Sequence, residues 1–109
     1  MKTQLNHTAL NVKDFDWYLN FFQEVFCMEI QRTRGEAPNR QVWLKQGIQL
    51  NEAEEDLAPG KLYDHLGFVV EDVKTLKNLA VLHGCSHLEG KDHWFVLPNG
   101  VRVELKPMN

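Results

Sequence analysis

Asn6-His7-Thr8-Ala9-Leu10-Asn11-Val12-Lys13-Asp14-Phe15 and Asp64-His65-Leu66-Gly67-Phe68-Val69-Val70-Glu71-Asp72-Val73 are two versions of one pattern. Each sets a His at the mouth of an apolar strand, a Val five residues on and an Asp seven residues on. Two such runs, one in each half, make the chain a tandem of two similar units. They also put two imidazoles at equivalent points of a pseudo-symmetric structure, where both can converge on one metal ion.

Outward from the first run, Leu5 to Val12 alternates as a strand does, and Asp14 offers an N-cap. Phe15 to Phe26 then reads as a helix, because Tyr18, Phe21, Phe22, Val25 and Phe26 recur at steps of three and four. That stripe is expected to face the core. Short strands are expected at Glu29 to Arg34, Gln41 to Leu44 and Gly47 to Asn51, with a loop at Gly35-Glu36-Ala37-Pro38-Asn39. The stretch from Glu52 to Lys61, acidic and containing Pro59-Gly60, reads as a solvated linker.

The second half repeats the order. His65 to Val70 is a strand, and Asp72 caps a helix to about His83, with Val73, Leu76, Leu79, Ala80 and Leu82 facing inward and Gly84 as the stop. Strands follow at Ser86 to Glu89, His93 to Leu97 and Val101 to Leu105. Between the last two, Asn99-Gly100 predicts a hairpin with positive φ at both central positions. The chain is therefore expected to be α+β, one domain of two βαβββ repeats at about residues 4–55 and 62–106. Curved mixed sheets brought edge to edge would leave a cleft lined by strand residues.

At 109 residues the chain has the length of one domain, and its 43% apolar and 25% charged residues are ordinary for a globular protein. A net charge of −3 without a basic stripe argues against a nucleic-acid partner. No apolar run approaches the roughly 20 residues that span a bilayer, and Met1-Lys2-Thr3-Gln4 leads straight into a strand pattern rather than a secretory signal. Cys27 and Cys85 are expected to be small apolar residues in a reducing cytoplasm.

The last strand of each unit supplies a second pair of candidates. Gln49 follows His7 by 42 residues, and Glu104 follows His65 by 39. Both come after a branched apolar residue and before a Leu. Singly, such residues are commonplace on strands; the fourfold match to the repeat singles them out. Two imidazoles, an amide oxygen and a carboxylate make a plausible ligand set for a divalent ion, with one negative charge that leaves the ion Lewis acidic. Trp43, Trp94, His87 and His93 are candidates for contact with a substrate, the two Trp also for core or interface.

With these residues in hand, the chain resembles the vicinal oxygen chelate superfamily, which includes glyoxalase I, bleomycin-resistance proteins, fosfomycin-resistance enzymes, methylmalonyl-CoA epimerase and extradiol dioxygenases. The resemblance runs from Leu5 to Leu105. It rests on the two His-bearing runs and on Leu97-Pro98-Asn99-Gly100-Val101-Arg102-Val103-Glu104-Leu105. Phe26-Cys27 stands where Leu-Gly is usual in that family, and Arg32, Arg34 and Arg40 are the candidates for a substrate carboxylate or phosphate.

The resemblance implies a glyoxalase-like fold with His7, Gln49, His65 and Glu104 as metal ligands, for Ni, Zn, Co, Mn or Fe. It implies a lyase or isomerase in which a metal-chelated, oxygenated small molecule loses a proton by way of an enolate or enediolate, with Glu104 as the catalytic base. An iron-dependent extradiol-type dioxygenase and a metal-free small-molecule-binding protein are the alternatives. A cytoplasmic homodimer, touching neither membrane nor nucleic acid, is the expected setting.

Overall fold

A computed structural model describes residues 1–57 and 61–108. Pro59 and Gly60, read above as part of a linker, lie outside them. Among the described residues the chain forms eight strands and two helices, ordered strand, helix and three strands, twice over. By contact pattern there are two compact units, His7–Asp64 and Met1–Asn6 with the chain from His65 onward.

β1 (Thr3–Val12) enters the unit His7–Asp64 at His7 and is followed there by α1 (Phe15–Val25), β2 (Ile30–Arg34), β3 (Gln41–Leu44) and β4 (Ile48–Glu52). The strand order is β2-β3-β4-β1. β1 runs parallel to β4 with Ala9 opposite Gln49 and Asn11 opposite Asn51. β3 is antiparallel to β4 with Trp43 opposite Gln49. Alternation sends Leu10, Val12, Val42, Leu44 and Leu50 to the face that packs against Phe15, Tyr18, Leu19 and Phe22 of α1. The opposite face receives His7, Ala9 and Asn11 from β1 and Gln49 and Asn51 from β4.

Asp14 stands at the N-cap of α1, but its side chain makes no capping hydrogen bond. The inward face of α1 also differs from expectation. Val25 and Phe26 are exposed, and Phe15 and Leu19 take core positions instead. The helix ends at Val25, and Cys27, at φ 55°, turns the chain away with the left-handed backbone that favours glycine. Phe26 instead joins Phe21 and Phe22 in an aromatic cluster that Trp17 extends by stacking on Phe21.

In the other unit, β5 (Tyr63–Val70) leads to α2 (Val73–Leu82), β6 (Ser86–His87), β7 (Trp94–Val96) and β8 (Arg102–Pro107), with strand order β5-β8-β7-β6. β5 and β8 are parallel, and β7 is antiparallel to both β8 and β6. Val70, Phe95, Val103 and Leu105 form the core, with Phe68, Val73, Leu76, Ala80 and Cys85 packed against it. The Glu71 N–H donates to the Lys2 carbonyl (3.0 Å), which ties the start of the chain to this unit.

Asp72 caps α2 fully. It accepts from the Thr75 N–H at 3.0 Å and the Thr75 hydroxyl at 2.9 Å, and these bonds hold its carboxyl below the usual range. Leu79 and Leu82, expected to face inward, are exposed. Leu82 is the last residue of α2, and Gly84 follows at φ 105°, so the chain leaves the helix there. The hairpin before β8 is also built differently. The Gly100 N–H donates to the Leu97 carbonyl (2.8 Å), and only Gly100 of the pair has positive φ, at 94°. Pro98 and Asn99 are therefore the central turn residues, since Pro pre-sets the φ of the first position. Gly100 supplies the left-handed residue that returns the chain to the ladder.

The acidic stretch contains one residue that is not solvated loop. Glu52 ends β4 and accepts from Arg40 Nε at 2.8 Å and Nη2 at 2.7 Å, and Arg40 Nη1 also meets Asp16 at 2.9 Å. The guanidinium holds the Glu52 carboxyl below its ordinary range, and the two carboxylates push the Arg40 pKa up. Cys27 is exposed and Cys85 half-buried, both as free thiols.

Candidate metal centre

On the helix-free face of the unit His7–Asp64, His7 and Gln49 are each only 3% exposed. Gln49 faces that side because Leu50, its neighbour in β4, is fully buried on the other. A strand Gln is ordinarily solvated, so burying one calls for partners. Its Nε2 donates to Asn51 Oδ1 at 2.8 Å. Asn51 in turn donates to Asn11 Oδ1 at 3.2 Å, and Asn11 Nδ2 donates to the Lys61 carbonyl at 2.9 Å and to Asp64 Oδ1 at 3.3 Å. Gln41 Nε2 also reaches Asn51 Oδ1, at 2.9 Å.

In the other unit, His65 is 5% exposed. Glu104 shares its face because Val103 and Leu105, on either side of it in β8, are buried in the core. Their nearest nitrogen and oxygen, His65 Nε2 and Glu104 Oε1, are 3.6 Å apart, and the Glu104 side chain is 23% exposed. Two donors each about 2.1 Å from one ion lie about 3.0–3.6 Å apart at ordinary coordination angles, so this pair has a span that one ion can bridge. Trp94, opposite Glu104 in the register, sets its ring edge-on to His65 at 4.8 Å and limits the imidazole's rotation. His7, His65 and Glu104 each offer one atom suited to a divalent ion, and the amide oxygen of Gln49 suits the same class of ion.

The other expected site residues separate by register. Trp43 pairs with Gln49 and lies under the Arg32 guanidinium, whose carbon is 3.9 Å from the ring centroid. Arg34 pairs with Gln41 on β3. Arg40 is committed to Asp16 and Glu52. His87 pairs with Phe95, a core residue, so it lies on the helix side of its sheet and away from Glu104. His93 is exposed and lies in the turn before β7, outside the ladder that carries Trp94. Asn51, Asn11, Gln41 and Asp64 were not singled out from sequence. Only the two-residue step from Gln49 to Asn51 hinted that they share a face.

The model of the Glyoxalase/Bleomycin resistance protein/Dioxygenase superfamily matches residues 4–96. The chain belongs to that superfamily. Its fold is shared with solved structures of low sequence identity. One is a hypothetical protein from Bacillus halodurans C-125 (TM-score 0.70, 14% identity, 100% of this chain and 96% of that one). A second is a variant methylmalonyl-CoA epimerase from Streptomyces coelicolor in complex with 2-nitronate-propionyl-CoA (TM-score 0.69, 19% identity, 98% of each chain). A third is methylmalonyl-CoA epimerase from Mycobacterium tuberculosis (TM-score 0.63, 18% identity, 96% of this chain and 87% of that one). Among curated protein sequences none matches. No helix among the described residues is long and apolar enough to cross a membrane.

Proposed function

We propose that this superfamily member is a divalent-metal-dependent enzyme that moves a proton on a carbon beside a carbonyl of a small oxygenated substrate. In this reading His7, Gln49, His65 and Glu104 share one ion. One observation carries it: each unit sets a buried imidazole on the helix-free face of its own strands, together with an oxygen donor that a neighbouring buried leucine, Leu50 or Leu105, turns to the same face of that unit.

When bound, the ion would supply Lewis acidity to a substrate oxygen. Glu104 would take the proton, as it is the one carboxylate of the four and is partly open to solvent. Trp94 would hold the His65 ring in place, and Trp43 beside Gln49 would give the substrate a flat apolar contact. The epimerases that share the fold favour an isomerase within this type. A homodimer belongs to the same proposal, since β2 and β6 end their strand orders as edges.

The test is metal analysis of protein purified without chelator, followed by cobalt titration of the stripped protein. One equivalent is expected, with weaker retention and loss of turnover in Glu104→Gln. Absence of stoichiometric binding by the wild type, or a Glu104→Gln protein with unchanged metal content and activity, would overturn the reading.

A further inference from the structure

The amides beside Gln49 form a chain with a direction. Its fixed end is the Lys61 carbonyl, which can only accept hydrogen bonds, together with the neighbouring Asp64 Oδ1. Both receive from Asn11 Nδ2. The Asn11 amide group therefore points its NH2 at them and has only Oδ1 left to offer Asn51. Asn51 must then donate through Nδ2, as it does at 3.2 Å. That leaves Asn51 Oδ1 as an acceptor, which takes hydrogen bonds from Gln49 Nε2 at 2.8 Å and Gln41 Nε2 at 2.9 Å. Reversing Asn11 or Asn51 alone would set NH2 against NH2 and oxygen against oxygen in a partly buried row, at the expense of three bonds, and reversing Gln49 alone would set its oxygen against that of Asn51.

The last link decides which end of Gln49 is available. With Nε2 committed to Asn51, Oε1 is the opposite end of the amide. Register fixes where that end lies. β1 and β4 run parallel, with Asn11 opposite Asn51 and Ala9 opposite Gln49. His7, two residues before Ala9 on the same face, therefore lies on the side of Gln49 away from Asn51. From these bonds and this register we infer that Asn51 is a positioning residue, held by Asn11 and Asp64, which turns the carbonyl oxygen of Gln49 rather than its NH2 towards the His7 side, where a cation would be bound. This inference rests on the metal reading above and adds to it the device that makes an amide serve as an oxygen ligand. It also explains why Gln suits position 49 here, since a Glu would bring an oxygen to the Asn51 oxygen.

The test is cobalt affinity and the visible spectrum of bound cobalt in stripped full-length protein, with thermal midpoints as a control for folding. Asn51→Leu removes the acceptor and is expected to weaken cobalt binding about 10- to 100-fold, the range for a residue that orients a ligand. Asn51→Ser keeps a hydroxyl that can accept from Gln49 and donate to Asn11, and should lose clearly less affinity than Asn51→Leu. Gln41→Leu, which touches the same oxygen without lying between Asp64 and Gln49, should leave both unchanged.

If Gln49→Ala weakens cobalt binding while folded Asn51→Leu binds as the wild type does, the positioning role is wrong and the ligand role stands. If Gln49→Ala has no effect either, the ligand role of Gln49 fails and the positioning role fails with it. Should Asn51→Leu not fold, Asn51→Ala, which also removes the acceptor, decides. Wild-type cobalt affinity and spectrum there, in a folded protein, overturn the inference.

Discussion

Leu50 and Leu82 look alike in the sequence, each an apolar residue in an amphipathic element, yet the structure separates them completely. Leu50 is fully buried, with Leu10 and Val42 opposite it on the two flanking strands and α1 above. Leu82 is 82% exposed at the end of α2. Replacing Leu50 by Ala removes three carbons at about 0.8 kcal/mol each, about 2.4 kcal/mol of transfer free energy. The space left is closed in by β1, β3 and α1 and can collapse only in part, so the cavity term should raise the total to about 3–5 kcal/mol.

For a domain with a total stability of about 5–15 kcal/mol, that is a large share. Leu82→Ala should change stability by about 0.5 kcal/mol or less. Urea unfolding followed by circular dichroism measures both, with the slope m checked for constancy so that midpoint shifts can be read as stability. A Leu50→Ala loss below about 1 kcal/mol, or a Leu82→Ala loss comparable to it, would show that the burial assigned to β4 and α2 is wrong. The orientation argued for Gln49 would lose its basis as well.

Two further outcomes follow from local features. Glu52 has a depressed pKa in the folded protein through Arg40, so its contribution is fully present above the unfolded value of about 4.3 and is lost as pH falls through the folded one. The gap in thermal midpoint between wild type and Glu52→Gln should thus be full at neutral pH and close in acid; a gap that persists in strong acid, or is missing at neutral pH, contradicts the clamp. Cys27 occupies left-handed backbone, which costs an L-residue about 1–2 kcal/mol, while glycine gives back about 0.5–1 kcal/mol in unfolded-state entropy. Cys27→Gly should therefore be neutral or stabilising by up to about 1.5 kcal/mol in urea unfolding, and a clear destabilisation would refute the strain.

The sequence showed what depends on period and repetition. Alternation located β1, β3 and β5 to within a few residues, and the Asp at the end of each His-bearing run marked both helix starts. What it could not show depends on where elements stop and on how strands align. Val25, Phe26 and Leu82 continue the helical stripe on paper, but each lies in the last turn or beyond it, where the chain leaves the sheet that would have covered it. Asn99-Gly100 looks like a two-residue turn until Pro98 is counted, because the fixed φ of proline moves the turn one residue earlier. The hydrogen bonds joining Gln49, Asn51 and Asn11 need two strands in a particular register, which no single segment encodes.

The two units also differ in a way that duplication alone does not suggest. Gln49 is almost wholly buried and its NH2 is taken by a side chain two residues away, so its oxygen is held to one direction. Glu104 occupies the equivalent strand position, partly open to solvent, with an imidazole as its near neighbour. An amide cannot accept a proton at neutral pH, while a carboxylate can. Of these two oxygen donors only Glu104 can take up a proton, and Gln49 is limited to offering its oxygen. That asymmetry, rather than the count of four donors, is what makes Glu104→Gln the most informative substitution for catalysis and Asn51→Leu the most informative for metal binding.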